Sequence, residues 1–109
     1  MPEGAAAFVE VVDLSITVAS GTGTANYRAT GEISSVAIKP PSGTPTLNVE
    51  ILDEDNFPVF IRSGVKARTK IPGDNALCKG LQSLTISSAT IDGTYLLRIY
   101  MKLGYSYAP

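Results

Sequence analysis

Residues 84–107 read LTISSATIDGTYLLRIYMKLGYSY, the longest run of alternating apolar and polar side chains in the chain. From Tyr95 the odd positions are Tyr95, Leu97, Ile99, Met101, Leu103, Tyr105 and Tyr107, and the even ones include Arg98, Tyr100 and Lys102. A period of two marks a strand with one buried face, because successive side chains leave a pleated backbone on opposite sides. Asp92-Gly93 precedes this run. An Asp-Gly pair between alternating segments is a strong hairpin signal, so Leu84–Ala89 and Thr94–Lys102 are expected to pair directly as a hairpin at the centre of a β domain.

The same alternation recurs toward the N-terminus. Val12, Leu14, Ile16 and Val18 share one side of a strand whose other side carries Asp13, Ser15 and Thr17. Ala19–Thr24 supplies small residues suited to a hairpin loop before Ala25, Tyr27 and Ala29 resume the pattern. In Gly31–Lys39, Val36 and Ile38 are in phase and Ile33 is out of phase, as a β-bulge would make it. Pro40-Pro41 must end that strand, since proline has no N–H to give to a ladder. Leu47, Val49 and Ile51 form a fourth strand, and the polar turn Asp53–Asn56 returns it through Phe57, Val59 and Ile61 as a second hairpin. Val65, Ala67, Thr69 and Ile71 alternate with Lys66, Arg68 and Lys70, which suits an edge strand with one basic face. Pro72–Asn75 reads as a turn, and Ala76–Gln82 fits a loop or a short strand equally. No long segment shows the helical period. The fold expected is therefore all-β: a single β-sandwich of seven to eight mostly antiparallel strands, of immunoglobulin-like size, over residues 1–109, with 1–7 and 104–109 as flexible arms.

A chain of 109 residues makes about one domain and can bury one core without covalent staples. The single Cys78 excludes an internal disulfide and a cysteine-cluster metal site. Eight acidic and two basic residues lie in 1–60, against two acidic and seven basic in 61–109, for a net charge of −1. Two readings follow: the halves interleave and the bias averages out, or a polar subunit docks head to tail on copies of itself or on a charged lattice. The N-terminus lacks the basic and apolar regions of a signal peptide, and no apolar run spans a bilayer, so no membrane association is expected.

The chain contains no histidine, which removes Ser-His-Asp and Cys-His nucleophiles and the usual zinc and non-haem iron sites. Paired carboxylates would suffice for glycoside hydrolysis, but the acids stand singly or cluster in Asp53–Asp55, a solvated turn. Calcium there would use Asp53, Asp55 and Asn56, without the spaced ligands and later bidentate Glu of a calcium loop. No catalytic residue, cofactor or metal is therefore assigned. Arg62, Lys66, Arg68 and Lys70 form the basic stripe; it reads as a solubilised edge, as a dock for an acidic protein surface or, lacking interleaved aromatic rings, least well as a nucleic-acid surface. Tyr95, Tyr100, Tyr105 and Tyr107 read as core and subunit-interface rings ahead of a carbohydrate platform. The interface candidates are thus Arg62, Lys66, Arg68, Lys70, Tyr100, Tyr105 and Tyr107.

The order of these signals carries a resemblance. The strand ending Thr17-Val18-Ala19, the link SGTGT into ANYRATGEISSVAIK, the segment TLNVEILDEDNFPVFIR and the closing LTISSATIDGTYLLRIYMK resemble small β-sandwich structural proteins of tailed bacteriophage virions, of the head-decoration or tail-accessory type. Gly31, Asp53, Asp92 and Gly93 match as structural positions. The resemblance implies a non-enzymatic virion protein, assembled in the bacterial cytoplasm and present in many copies. It would bind a major capsid or tail protein lattice and form a homo-oligomer, a dimer or trimer.

Overall fold

Alternation of apolar residues can be satisfied only if each strand lays one face on another sheet. The computed structural model, which describes residues 9–102, does this with eight strands: β1 (Val9–Val18), β2 (Gly23–Arg28), β3 (Gly31–Lys39), β4 (Thr46–Asp53), β5 (Pro58–Lys66), β6 (Lys70–Cys78), β7 (Leu81–Ser87) and β8 (Gly93–Lys102). They form two four-stranded sheets, in the orders β1-β8-β3-β6 and β2-β7-β4-β5, with every pairing antiparallel. The all-β sandwich expected from the sequence is the observed architecture.

The pairings β1 with β8, β2 with β7, β3 with β6 and β4 with β5 describe one long hairpin wrapped into two layers. This order is that of the jelly roll. Its tip is the turn at Asp53–Asn56, where Asn56 N–H donates to Asp53 O at 2.9 Å and Asp53 N–H to Phe57 O at 2.9 Å. Of the seven connections, only this one stays within a sheet. The winding also disposes of the charge asymmetry, because each strand of the acidic half pairs with a strand of the basic half. Asp13 faces Arg98 across β1 and β8, and Glu32 faces Lys102 across β3 and β8.

The core is the inward set. Ile16, Val18, Ile33, Val36, Ile38, Ile71, Cys78, Tyr95, Leu97, Ile99 and Met101 on one sheet meet Tyr27, Leu47, Val49, Ile51, Phe60, Leu84 and Ile86 on the other, all buried. Each such aliphatic side chain removed from water contributes about 1.5–3 kcal/mol. Tyr95 is fully buried and satisfies its hydroxyl by donating to Ile91 O at 2.6 Å.

Several expectations are corrected. β7 and β8 do not pair: they lie in different sheets, and Ser88–Asp92 carries the chain from one layer to the other. Ala19–Thr22 is a tight two-residue turn, with Ser20 at φ 53° and Gly21 at φ 81°, but β1 and β2 then separate into opposite sheets. The expected strand through Val65–Ile71 breaks at Ala67–Thr69, where Arg68 takes φ 62° and the chain again changes sheet. Pro72–Asn75 is not a turn; it lies within β6, bulged opposite Ile33 and Ser35. The bulge works because β6 is an edge strand and Gly73 has no side chain to strike Ile33. On β5 the shift at Ile51/Leu52 interrupts the alternation, so that Phe60 is buried, Ile61 exposed and Val59 half-buried, and Phe57, just before the strand, is exposed. The bulge foreseen at Ile33 is present. Ala76–Gln82 contains the end of β6, a turn at Lys79-Gly80 and the start of β7. The arms assigned to 1–7 and 104–109, and Leu103, Tyr105 and Tyr107, lie outside the described residues.

Candidate interaction surface

The outer face of the β1-β8-β3-β6 sheet is built in rows fixed by register. Val11, Tyr100, Ser35 and Pro72 lie across it in one row; Asp13, Arg98, Ala37 and Lys70 in the next; Ser15, Leu96 and Lys39 in a third. Small side chains at Ser15 and Ala37 sit between larger ones, and the result is an open hollow of about 560 Å³ lined by Ser15, Ala37, Lys39, Leu96, Arg98 and Tyr100, among others.

Two contacts organise the charges there. Arg98 grips Asp13 with Nε to Oδ1 at 2.7 Å and Nη2 to Oδ2 at 3.3 Å. This bond, with Tyr100 second, raises the Arg98 pKa above its ordinary value. The Lys70 ammonium stands 4.8 Å from the centre of the Tyr100 ring, within cation–π range. With Asp13 taken up by Arg98, the lining Lys39 and the adjacent Lys70, opposite Ala37, leave this part of the face positively biased.

The basic stripe read from the sequence is divided by the fold. Arg62 is engaged within the chain: it stacks on Phe60 at 4.5 Å, donates to Pro72 O at 3.2 Å and pairs with Asp74, joining edge strands of opposite sheets. Lys66 is exposed at the end of β5, and Arg68 sits on the crossover with Nε 3.3 Å from Gly43 O. Lys70 alone of the four joins Tyr100. Tyr105 and Tyr107 lie outside the described residues.

A second feature occupies the far end of the sandwich. Asp53 Oδ1 accepts the N–H groups of Asp55 and Phe57, each at 2.9 Å, which locks the β4–β5 turn. Beside it a crevice of about 460 Å³ is lined by Asp53, Glu54, Asp55, Leu77, Lys79 and Gly80. Phe57, at 66% exposure, and Leu77, at 67%, are the most exposed large apolar side chains among the described residues. Sequence reading missed both. Phe57 belongs to the turn ahead of β5, where alternation does not fix its side, and Leu77 stands on a strand whose bulge hides its register. Among the described residues no group of three or more His, Cys, Asp or Glu side chains is placed to hold a metal ion.

The outer face of the β2-β7-β4-β5 sheet is different again, carrying hydroxyl and amide groups bonded to each other: Thr24 to Thr85 at 3.0 Å and Ser83 to Asn26 at 2.8 Å. These groups are satisfied by their neighbours. What the other surfaces leave exposed is apolar area and charge. In comparisons with known proteins, no family model, no curated protein and no solved structure matches this chain.

Proposed function

We propose that this chain is a structural protein of a tailed-bacteriophage virion, a capsid decoration protein that stabilises the shell through lattice contacts. The same reading extends to a tail or baseplate accessory protein. The observation that supports it is the pairing of a basic-rimmed hollow on one sheet with an apolar, acid-rimmed tip at the end of the sandwich. A sandwich with two such surfaces can touch two neighbours at once, and repetition on a lattice multiplies modest contacts through effective concentration. The jelly-roll order is in keeping with this as a fold-level analogy, since viral capsid proteins are among the proteins that use it. Lectins use it too, and the Tyr100 ring at the hollow gives a carbohydrate-binding module as the second reading.

The test is to band phage particles carrying the gene in a caesium chloride gradient and quantify the chain on full particles, tailless heads and isolated tails. A decoration protein is expected on tailless heads in a fixed ratio to the major capsid protein, and a tail component on tails alone. Its absence from all particle bands would refute the proposal. Saturable sugar binding abolished by Tyr100→Ala would favour the second reading.

A further inference from the structure

Of the six large apolar side chains left in solvent among the described residues, Ile61 stands apart on β5 and the other five fall toward two places. Leu81, 37% exposed, joins Phe57 and Leu77 at the tip end, its N–H 3.4 Å from Glu54 Oε2. Around them stand three carboxylates, Asp53, Glu54 and Asp55, and one ammonium, Lys79. The hollow is the reverse. Leu96 at 47% and Val11 at 45% exposure lie at or beside it, Lys39 lines it, and Lys70 stands next to it, opposite Ala37 and over the Tyr100 ring. One surface is apolar with an acidic rim, and the other is apolar with a basic rim.

These surfaces cannot meet within one chain. The tip closes β4 onto β5 in one sheet, whereas the hollow is set in the outward face of the opposite sheet, with the core between the two layers. Nor does either surface suit its own copy, since each would oppose like charges. We propose that the tip Asp53–Phe57 of one molecule docks in the hollow around Ser15, Ala37 and Leu96 of a second molecule, so that copies of this chain associate head to tail. Such a contact is heterologous and propagates into a ring or a filament, in contrast to a two-fold dimer. This rests on the reading of the chain as a contact protein and supplies one partner for it, a second copy of itself.

The test uses light scattering on purified chain across a concentration series at low and high salt. Wild type is expected to grow in mass with concentration and to shrink when salt is added, as a contact between opposite charges requires. Lys39→Glu with Lys70→Glu, and separately Glu54→Lys with Asp55→Lys, should each weaken self-association at least about tenfold. Mixing the two variants should restore it, because the reversed hollow then meets the reversed tip. All four positions are exposed, so thermal melts should remain close to wild type. Wild type that stays a single chain at its highest concentration, variants that associate undiminished, or a mixture that stays apart would each overturn the inference. Particle banding is read separately: a chain that bands with particles but never self-associates removes only this inference, and the converse removes only the virion assignment.

Discussion

Asp92 holds Gly21: its Oδ1 accepts the Gly21 N–H at 2.9 Å, while Oδ2 accepts that of the adjacent Ser20 at 3.0 Å. The residue expected to open a hairpin instead fastens the last crossover between sheets to the first, 71 residues away in sequence. Asp92→Ala should therefore cost about 1–2 kcal/mol, since hydrogen bonds to a charged acceptor are lost at an exposed site. Urea unfolding checks this, and an unchanged midpoint would show that packing and the Ala89 N–H bond to Gly21 O hold the two crossovers together without Asp92.

Asp53 makes the same kind of bond at the opposite end, but over four residues. Asp53→Ala should lower stability by about 1 kcal/mol, yet its kinetic signature should differ. Closing the β4–β5 tip requires little chain entropy and closing Asp92 onto Gly21 requires much, so the tip forms early. Stopped-flow measurements are expected to show slower folding for Asp53→Ala and faster unfolding for Asp92→Ala; the reverse assignment would discard the tip as the folding nucleus.

Gly73 is where β6 passes against β3. A Cβ there would fall 2.2 Å from Ile33 O and 2.5 Å from Ile33 Cγ2, and a backbone oxygen in a paired strand cannot swing aside. Gly73→Ala should destabilise by about 2–3 kcal/mol through this overlap. Gly64→Ala is the control: nothing lies within 4 Å, and only its φ of +64° opposes the change, for a cost of about 1 kcal/mol. Equal thermal shifts for both variants would contradict the steric account.

Tyr27 carries a buried hydroxyl with no hydrogen-bond partner. Burial first, and the neighbouring Cys78 second, raise its pKa above the ordinary 10.0, and burial raises that of Cys78 above 9.0. Both groups hold their protons more tightly when folded, so their contribution is complete below about pH 9 and drains away as the unfolded chain ionises at higher pH. Tyr27→Phe is expected to raise stability near neutral pH by about 1 kcal/mol and to flatten the loss at alkaline pH. Denaturant melts over that range decide it, and a less stable Phe variant would point to a water bridging the hydroxyl.

Local periodicity was enough to place most strands and their inward faces. Tyr95, Leu97, Ile99 and Met101 are buried as their alternation requires, and Ile33 announces its bulge by falling out of phase. Those properties depend on the chain within a few residues of each position, because a pleated backbone fixes which side a side chain takes. Partner choice does not. Asp92-Gly93 has the turn chemistry of a hairpin, but β8 pairs with β1 and β3 in the sheet opposite β7, a choice made by residues far from the turn. Pro72–Asn75 has turn chemistry as well and lies in a strand because β3 supplies a bulged partner. The candidate surfaces were still less legible: Lys70 reaches Tyr100 across the intervening β3, and Leu77 comes to the Asp53–Asp55 turn from the opposite sheet. Composition set what the surface is made of, and the winding of the two sheets decided which residues share it, since proximity in a jelly roll is governed by strands far apart along the chain.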